Sequence, residues 1–220
     1  MRLSILAMAI CLAGGAQAQT VLNLSDRYVG NSQMRFASGN PLDFVGSFLE
    51  PDLIAPPASI TEAELRALRD LIARAEAGAA GYDAVQHGAV IRPPDRPTQM
   101  TLSAILRWIE ETPGQPHAIG RYQIIPSTLR DLIAVTNTPL TARYTPELQD
   151  RFADILMARG GLNAFAEGRL DAAGLMDGLA RVWAGLPLAN GRSAYYGIAG
   201  NRAVITRADY EATMATIFPG

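Results

Sequence analysis

The chain has 220 residues, 49% of them hydrophobic, and a formal net charge of −2. That length supports one buried core plus an extension rather than several domains. All 19 basic residues are arginine, and the near-neutral balance gives no reason to expect nucleic acid or an anionic membrane as partner.

Residues 1–18 read as a secretory signal peptide. Arg2 supplies the positive start, residues 3–12 the apolar run, and Ala16-Gln17-Ala18 an A-x-A cleavage site. The run is too short to span a bilayer. The single cysteine, Cys11, lies inside it and follows Ile10, which is too bulky for a lipoprotein cleavage site. Cleavage after Ala18 would leave a mature chain with no membrane span and no cysteine, exported to the periplasm or beyond yet independent of disulfides. Residues 19–59 carry turn signals at Asn31, Gly39-Asn40-Pro41 and Pro56-Pro57, with Phe36, Phe44 and Phe48 between them and no sustained period. This predicts an irregular extension that packs on something, and a segment through which a protein partner could place the domain in a larger assembly.

Residues 60–220 form the predicted domain. Its first helix, 61–76, opens with a Thr61-x-x-Glu64 capping box, and Ile60 is placed to staple onto Leu65. Leu65, Leu68, Leu71, Ile72 and Ala75 build one apolar stripe, Glu76 falls at its edge, and Gly78 is a stop signal. The Gly- and Pro-punctuated stretch up to Pro97 predicts a small hairpin lobe or an extended loop. Further helices are expected over 101–112, 127–135, 145–159, 171–184 and 206–217, each opened by Thr, Ser, Asp or a Thr-Pro pair. The fold class is therefore mainly α, with one loop-rich or β-hairpin lobe after the first long helix.

The chemistry must fit that frame. Two histidines, His87 and His117, and no mature cysteine make a metal site a poor fit, and no cofactor is expected. Neither H-E-x-x-H nor G-x-S-x-G occurs, and the Gly-rich stretches lack a following Lys-Ser/Thr. Glu76 is different. A carboxylate at the negative end of a helix dipole, beside apolar surface, is disfavoured as an anion and suits a general acid near neutral pH. The same position also suits an ordinary solvated Glu at a fraying helix end. In residues 118–132 a glycine-bearing turn delivers Tyr122 and Gln123 ahead of Pro126-Ser127, which opens a helix. A flat ring with a polar tip beside an amide suits N-acetylated sugars, and it equally suits a core tyrosine with a glutamine capping a turn.

Residues 120–128, Gly-Arg-Tyr-Gln-Ile-Ile-Pro-Ser-Thr, resemble the G-x-x-Q…P-x-T element of lysozyme-like lytic transglycosylases, and most of all the phage-lambda-type endolysins. Gly81-Tyr82-Asp83 lies just past Glu76, as in that branch, and residues 183–187, Trp-Ala-Gly-Leu-Pro, are similar to its W-A-S-L-P element. The order of these motifs after a helix-terminal Glu tips the reading of Glu76 toward catalysis. The resemblance implies a lysozyme-like domain that cleaves the β-1,4 bond between N-acetylmuramic acid and N-acetylglucosamine in peptidoglycan glycan strands. Glu76 would be its acid and base, Tyr82, Arg121, Tyr122 and Gln123 its substrate contacts, and Tyr195 or Tyr196 is carried over from a looser match. Two positions depart from the family. Ala77 stands where Ser or Gly usually follows the catalytic Glu, and no second carboxylate has an obvious fixed place. Asp83 is nearest in sequence, and bracing the turn is its simpler use.

Overall fold

In the computed structural model, residues 56–198 and 200–219 are described. The predicted signal peptide and all but the last residues of the predicted extension lie outside them. The described chain is mainly helical, with seven α-helices: α1 Glu62–Glu76, α2 Leu102–Glu111, α3 Pro126–Val135, α4 Pro146–Arg159, α5 Leu162–Ala166, α6 Ala172–Val182 and α7 Arg207–Ile217. Two 3-10 turns, Gly78–Asp83 and Pro97–Gln99, frame the loop-rich lobe.

Helix α1 forms as its sequence dictates. The Thr61 hydroxyl accepts the Glu64 N–H at 3.2 Å while the Glu64 carboxylate accepts the Thr61 N–H at 2.7 Å, so two otherwise orphaned donors are satisfied. Leu65, Leu68, Leu71 and Ile72 are fully buried, and Ile60 packs against the same core. Tyr210 and Met214 of α7 are buried with them, and α7 lies against α1. Ala77 caps the C-terminus, and Gly78 turns the chain at φ 55°, where a side chain would be strained. Thr101, Thr145, Asp171 and Thr206 accept N-cap hydrogen bonds at α2, α4, α6 and α7.

One alternative is resolved and two expectations change. The lobe takes the loop form: the described residues contain isolated bridges but no strand. Ile91 is held by its backbone rather than by strand pairing, its carbonyl accepting from Trp108 Nε1 at 3.0 Å and Gln115 Nε2 at 2.8 Å. The short helix α5, directly after Gly160-Gly161, was not expected, since five residues with one buried position, Leu162, leave no period to read. Helix α6 ends at Val182 rather than 184, because Trp183 leaves helical geometry to bury its indole and donate from Nε1 to Tyr122 O at 3.2 Å.

The Gly-Arg-Tyr-Gln element is the loop of a four-residue hairpin. Ile119 and Ile124 exchange backbone bonds at 3.2 and 3.0 Å, and Val85 bridges to the other side of Ile119. Gly120 sits at φ 79°, and a Cβ there would lie 2.5 Å from Gln149 Oε1 and 2.9 Å from the Tyr144 ring. Gly120→Ala should therefore lose about 2–4 kcal/mol of stability in urea titrations, from left-handed strain plus overpacking. A loss below about 0.5 kcal/mol would show that the hairpin is not held as described.

Candidate active site

Glu76 closes the last turn of α1 and is half-buried. Its Oε1 accepts the Gly185 N–H at 2.8 Å, and among the described residues no cation pairs with it. Burial pushes its pKa up to about 7, against the opposing pull of the Gly185 N–H. Arg121, the cation that could have reversed this direction, is committed elsewhere. One of its amino groups pairs with Asp70, and the other donates to the Tyr82 hydroxyl at 2.7 Å.

The predicted substrate contacts divide into two groups. Tyr82, Arg121 and Tyr122 belong to a polar network that binds loops to helices. Tyr122 is 1% exposed, so its ring cannot be offered to a ligand, and its hydroxyl donates to Asp150 at 2.5 Å. Burial and the adjacent Asp150 carboxylate push the Tyr122 hydroxyl pKa upward. The Tyr82 hydroxyl donates to the same carboxylate at 2.9 Å, and the Arg121 guanidinium lies 4.8 Å from the Tyr82 ring centroid. The expectation that Tyr122 contacts a sugar is corrected accordingly: it supports the hairpin from beneath.

Gln123 stands at φ 45°, a conformation that costs a side-chain-bearing residue, and its Nε2 donates to Gly120 O at 3.0 Å across its own turn. Its Oε1 accepts no bond among the described residues. The Tyr195 hydroxyl donates to Arg181 O. Tyr196 is 62% exposed with the Arg192 guanidinium 5.0 Å from its ring centroid, so of this pair it is the one that presents a face to solvent. Its loop returns to the site where Val204 N donates to Gly185 O at 2.8 Å. Asp83 accepts the Thr98 N–H at 3.0 Å, so it braces the lobe across 15 residues rather than within its own turn.

Sequence reasoning missed Gln149 and Asp150. Gln149 is fully buried and fully used: its Oε1 accepts the Arg121 N–H at 2.8 Å, and its Nε2 donates to Tyr144 O at 2.9 Å and Tyr82 O at 3.1 Å. The available signal was its place on the apolar stripe of α4, three residues before Phe152 and seven before Leu156. A polar residue on such a stripe must find partners. An open groove of about 530 Å3 runs past Tyr82, Asp83, Arg143 and Glu147, but Glu76 is not among its lining residues, so the groove does not define the acid's site. Among the described residues no helix is long and apolar enough to cross a membrane.

The chain matches no protein-family model, no curated protein and no solved structure. The lysozyme-like reading rests on the short motifs and on the geometry around Glu76.

Two outcomes follow from this geometry. Gln123→Ala keeps the strained φ and loses the bond to Gly120 O, so it should cost about 1 kcal/mol, whereas Gln123→Gly relieves the strain and should melt close to the parent. Equal melting of Ala and Gly variants would contradict the strained turn. For Glu76, the folded carboxyl keeps its proton up to about pH 7, while the unfolded chain releases it near 4.5. The native state binds more protons across that window, so the stabilising contribution is full below pH 4.5 and is lost as pH rises through 7. The loss reaches up to about 3 kcal/mol. Glu76→Gln should remove this pH dependence and be as stable as the parent or more so at pH 7, read from denaturation midpoints at pH 4.5, 6 and 8. A Gln variant clearly weaker at pH 8 would make Glu76 a paired structural carboxylate.

Proposed function

We propose that the chain is an exported lytic transglycosylase of lysozyme-like architecture that cleaves the MurNAc-β-1,4-GlcNAc bond of peptidoglycan. The observation that carries this reading is Glu76: a half-buried carboxylate at a helix end, without a cation, whose pKa is raised to about 7. Such a group holds a proton at neutral pH and can still release it, which is what a residue serving as acid and then base requires.

In the first step Glu76 donates its proton to the glycosidic oxygen as the bond to the muramoyl C1 breaks. In the second, Glu76 as carboxylate takes the proton from the muramoyl C6 hydroxyl, whose oxygen attacks C1 and closes a 1,6-anhydro ring. The acid is regenerated and no water is consumed. Hydrolysis on the same fold would be helped by a second carboxylate to stabilise the cation or activate water. Among the described residues no second carboxylate is hydrogen-bonded to Glu76, and in this reading the internal hydroxyl is the nucleophile. Gln123, with a free amide oxygen, and Tyr196, with an exposed ring, are the predicted contacts best suited to an N-acetylated sugar. The predicted signal peptide accords with a substrate outside the cytoplasm.

Glu76→Gln tests this directly, because it keeps the shape and removes the proton. Clearing of purified cell walls should fall by about 10²–10⁴-fold, and parental activity should decline on the alkaline side as the proton is lost near pH 7. Equal clearing by both proteins would remove Glu76 from the chemistry. A parent that binds walls without clearing them would make the chain a wall-binding protein.

A further inference from the structure

Gly185 approaches the acid more closely than any residue with a side chain could. A Cβ built on it would lie 2.5 Å from Ala75 O and 2.9 Å from Glu76 Oε1, both inside van der Waals contact. Its backbone is not in the left-handed region, so conformational freedom is not what calls for glycine here. The requirement is space against the C-terminal turn of α1. The stretch that carries it is fixed at both ends. Trp183 is buried and bonded to Tyr122 O, and Gly185 O accepts the Val204 N–H at 2.8 Å.

We propose that the Gly185 main-chain N–H selects the working oxygen of Glu76, so that both proton transfers run through Oε2. The inference rests on the transglycosylase reading for its chemistry, but its geometry stands apart from it. A backbone N–H can only donate. When Glu76 is protonated, the carbonyl oxygen of the carboxyl is a stronger acceptor than its hydroxyl oxygen, so the Gly185 N–H, 2.8 Å from Oε1, favours the form with Oε1 as carbonyl and the proton on Oε2. When Glu76 is ionised, the same N–H keeps Oε1 occupied, and Oε2 is the oxygen left to collect the proton from the C6 hydroxyl. Gly185 is thus a positioning residue: it acts through Glu76 and needs no contact with substrate. Among the described residues no side chain hydrogen-bonds to or ion-pairs with the Glu76 carboxyl, so its one polar partner is the Gly185 N–H.

The test separates the N–H from the missing Cβ. Incorporating glycolic acid at position 185 replaces the amide by an ester, which deletes the N–H and adds no Cβ. Carboxyl 13C NMR should show the Glu76 pKa higher in the ester by about half a unit to one unit, and kcat should fall about tenfold with KM within twofold. Gly185→Ala should also lower kcat at least tenfold while remaining folded. A structural role alone would lower the melting temperature of either variant and leave the titration and the alkaline limb of kcat in place, and that result overturns the proposal. The NMR titration needs no turnover. An upward shift without activity in the parent would uphold the positioning of the carboxyl and reject the transglycosylase reading, while activity without a shift would do the reverse.

Discussion

Two adjacent residues of α4, Gln149 and Asp150, hold the loops that lead into and away from the site. Gln149 binds backbone: the Arg121 N–H, Tyr82 O and Tyr144 O. Asp150 binds side chains, the hydroxyls of Tyr82 and Tyr122. Helix α4 is in turn locked to α1 by Arg69, which donates from Nε and one amino group to Asp154 at 2.8 and 2.6 Å. That pair is largely shielded from water, where a bidentate geometry offsets the cost of desolvation far better than a single contact would. Removing one partner would strand charge or amide in the interior, a cost of several kcal/mol. The polar network is therefore the frame on which the apolar core sets the position of Glu76.

The position of Glu76 follows from what α1 buries. Its apolar stripe runs to Ala75, so the next residue emerges at the rim of the core, with the 183–187 segment laid across the helix end. Burial raises the carboxyl's pKa, and the lone Gly185 N–H keeps that rise moderate. A paired arginine would have fixed the charge and ended any role as an acid. Arg121 is paired with Asp70 instead.

Local rules were sufficient where local chemistry decides. The capping box at Thr61, the Thr145-Pro146 start of α4 and the stop at Gly78 are short-range signals, and the helices begin and end within two residues of where these place them. The lobe was less legible because its order comes from afar: Ile91 is held by Trp108 and Gln115, and Val85 pairs with Ile119. The same limit applies to the site. A Tyr with a polar tip reads alike whether it meets a sugar or a carboxylate, and Asp150 lies 28 residues beyond Tyr122 and 68 beyond Tyr82. Glycines marked the essential close approaches at Gly120 and Gly185, but their reasons differ, positive φ with crowding in one and crowding alone in the other.

The central claim is that Glu76 drives bond cleavage with an internal hydroxyl as nucleophile. Digestion of purified peptidoglycan in H2 18O, followed by mass spectrometry of the released muropeptides, tests it most directly. The account predicts 1,6-anhydromuramoyl ends carrying no 18O. Reducing ends that have gained 18O from solvent would contradict it and point to hydrolysis instead.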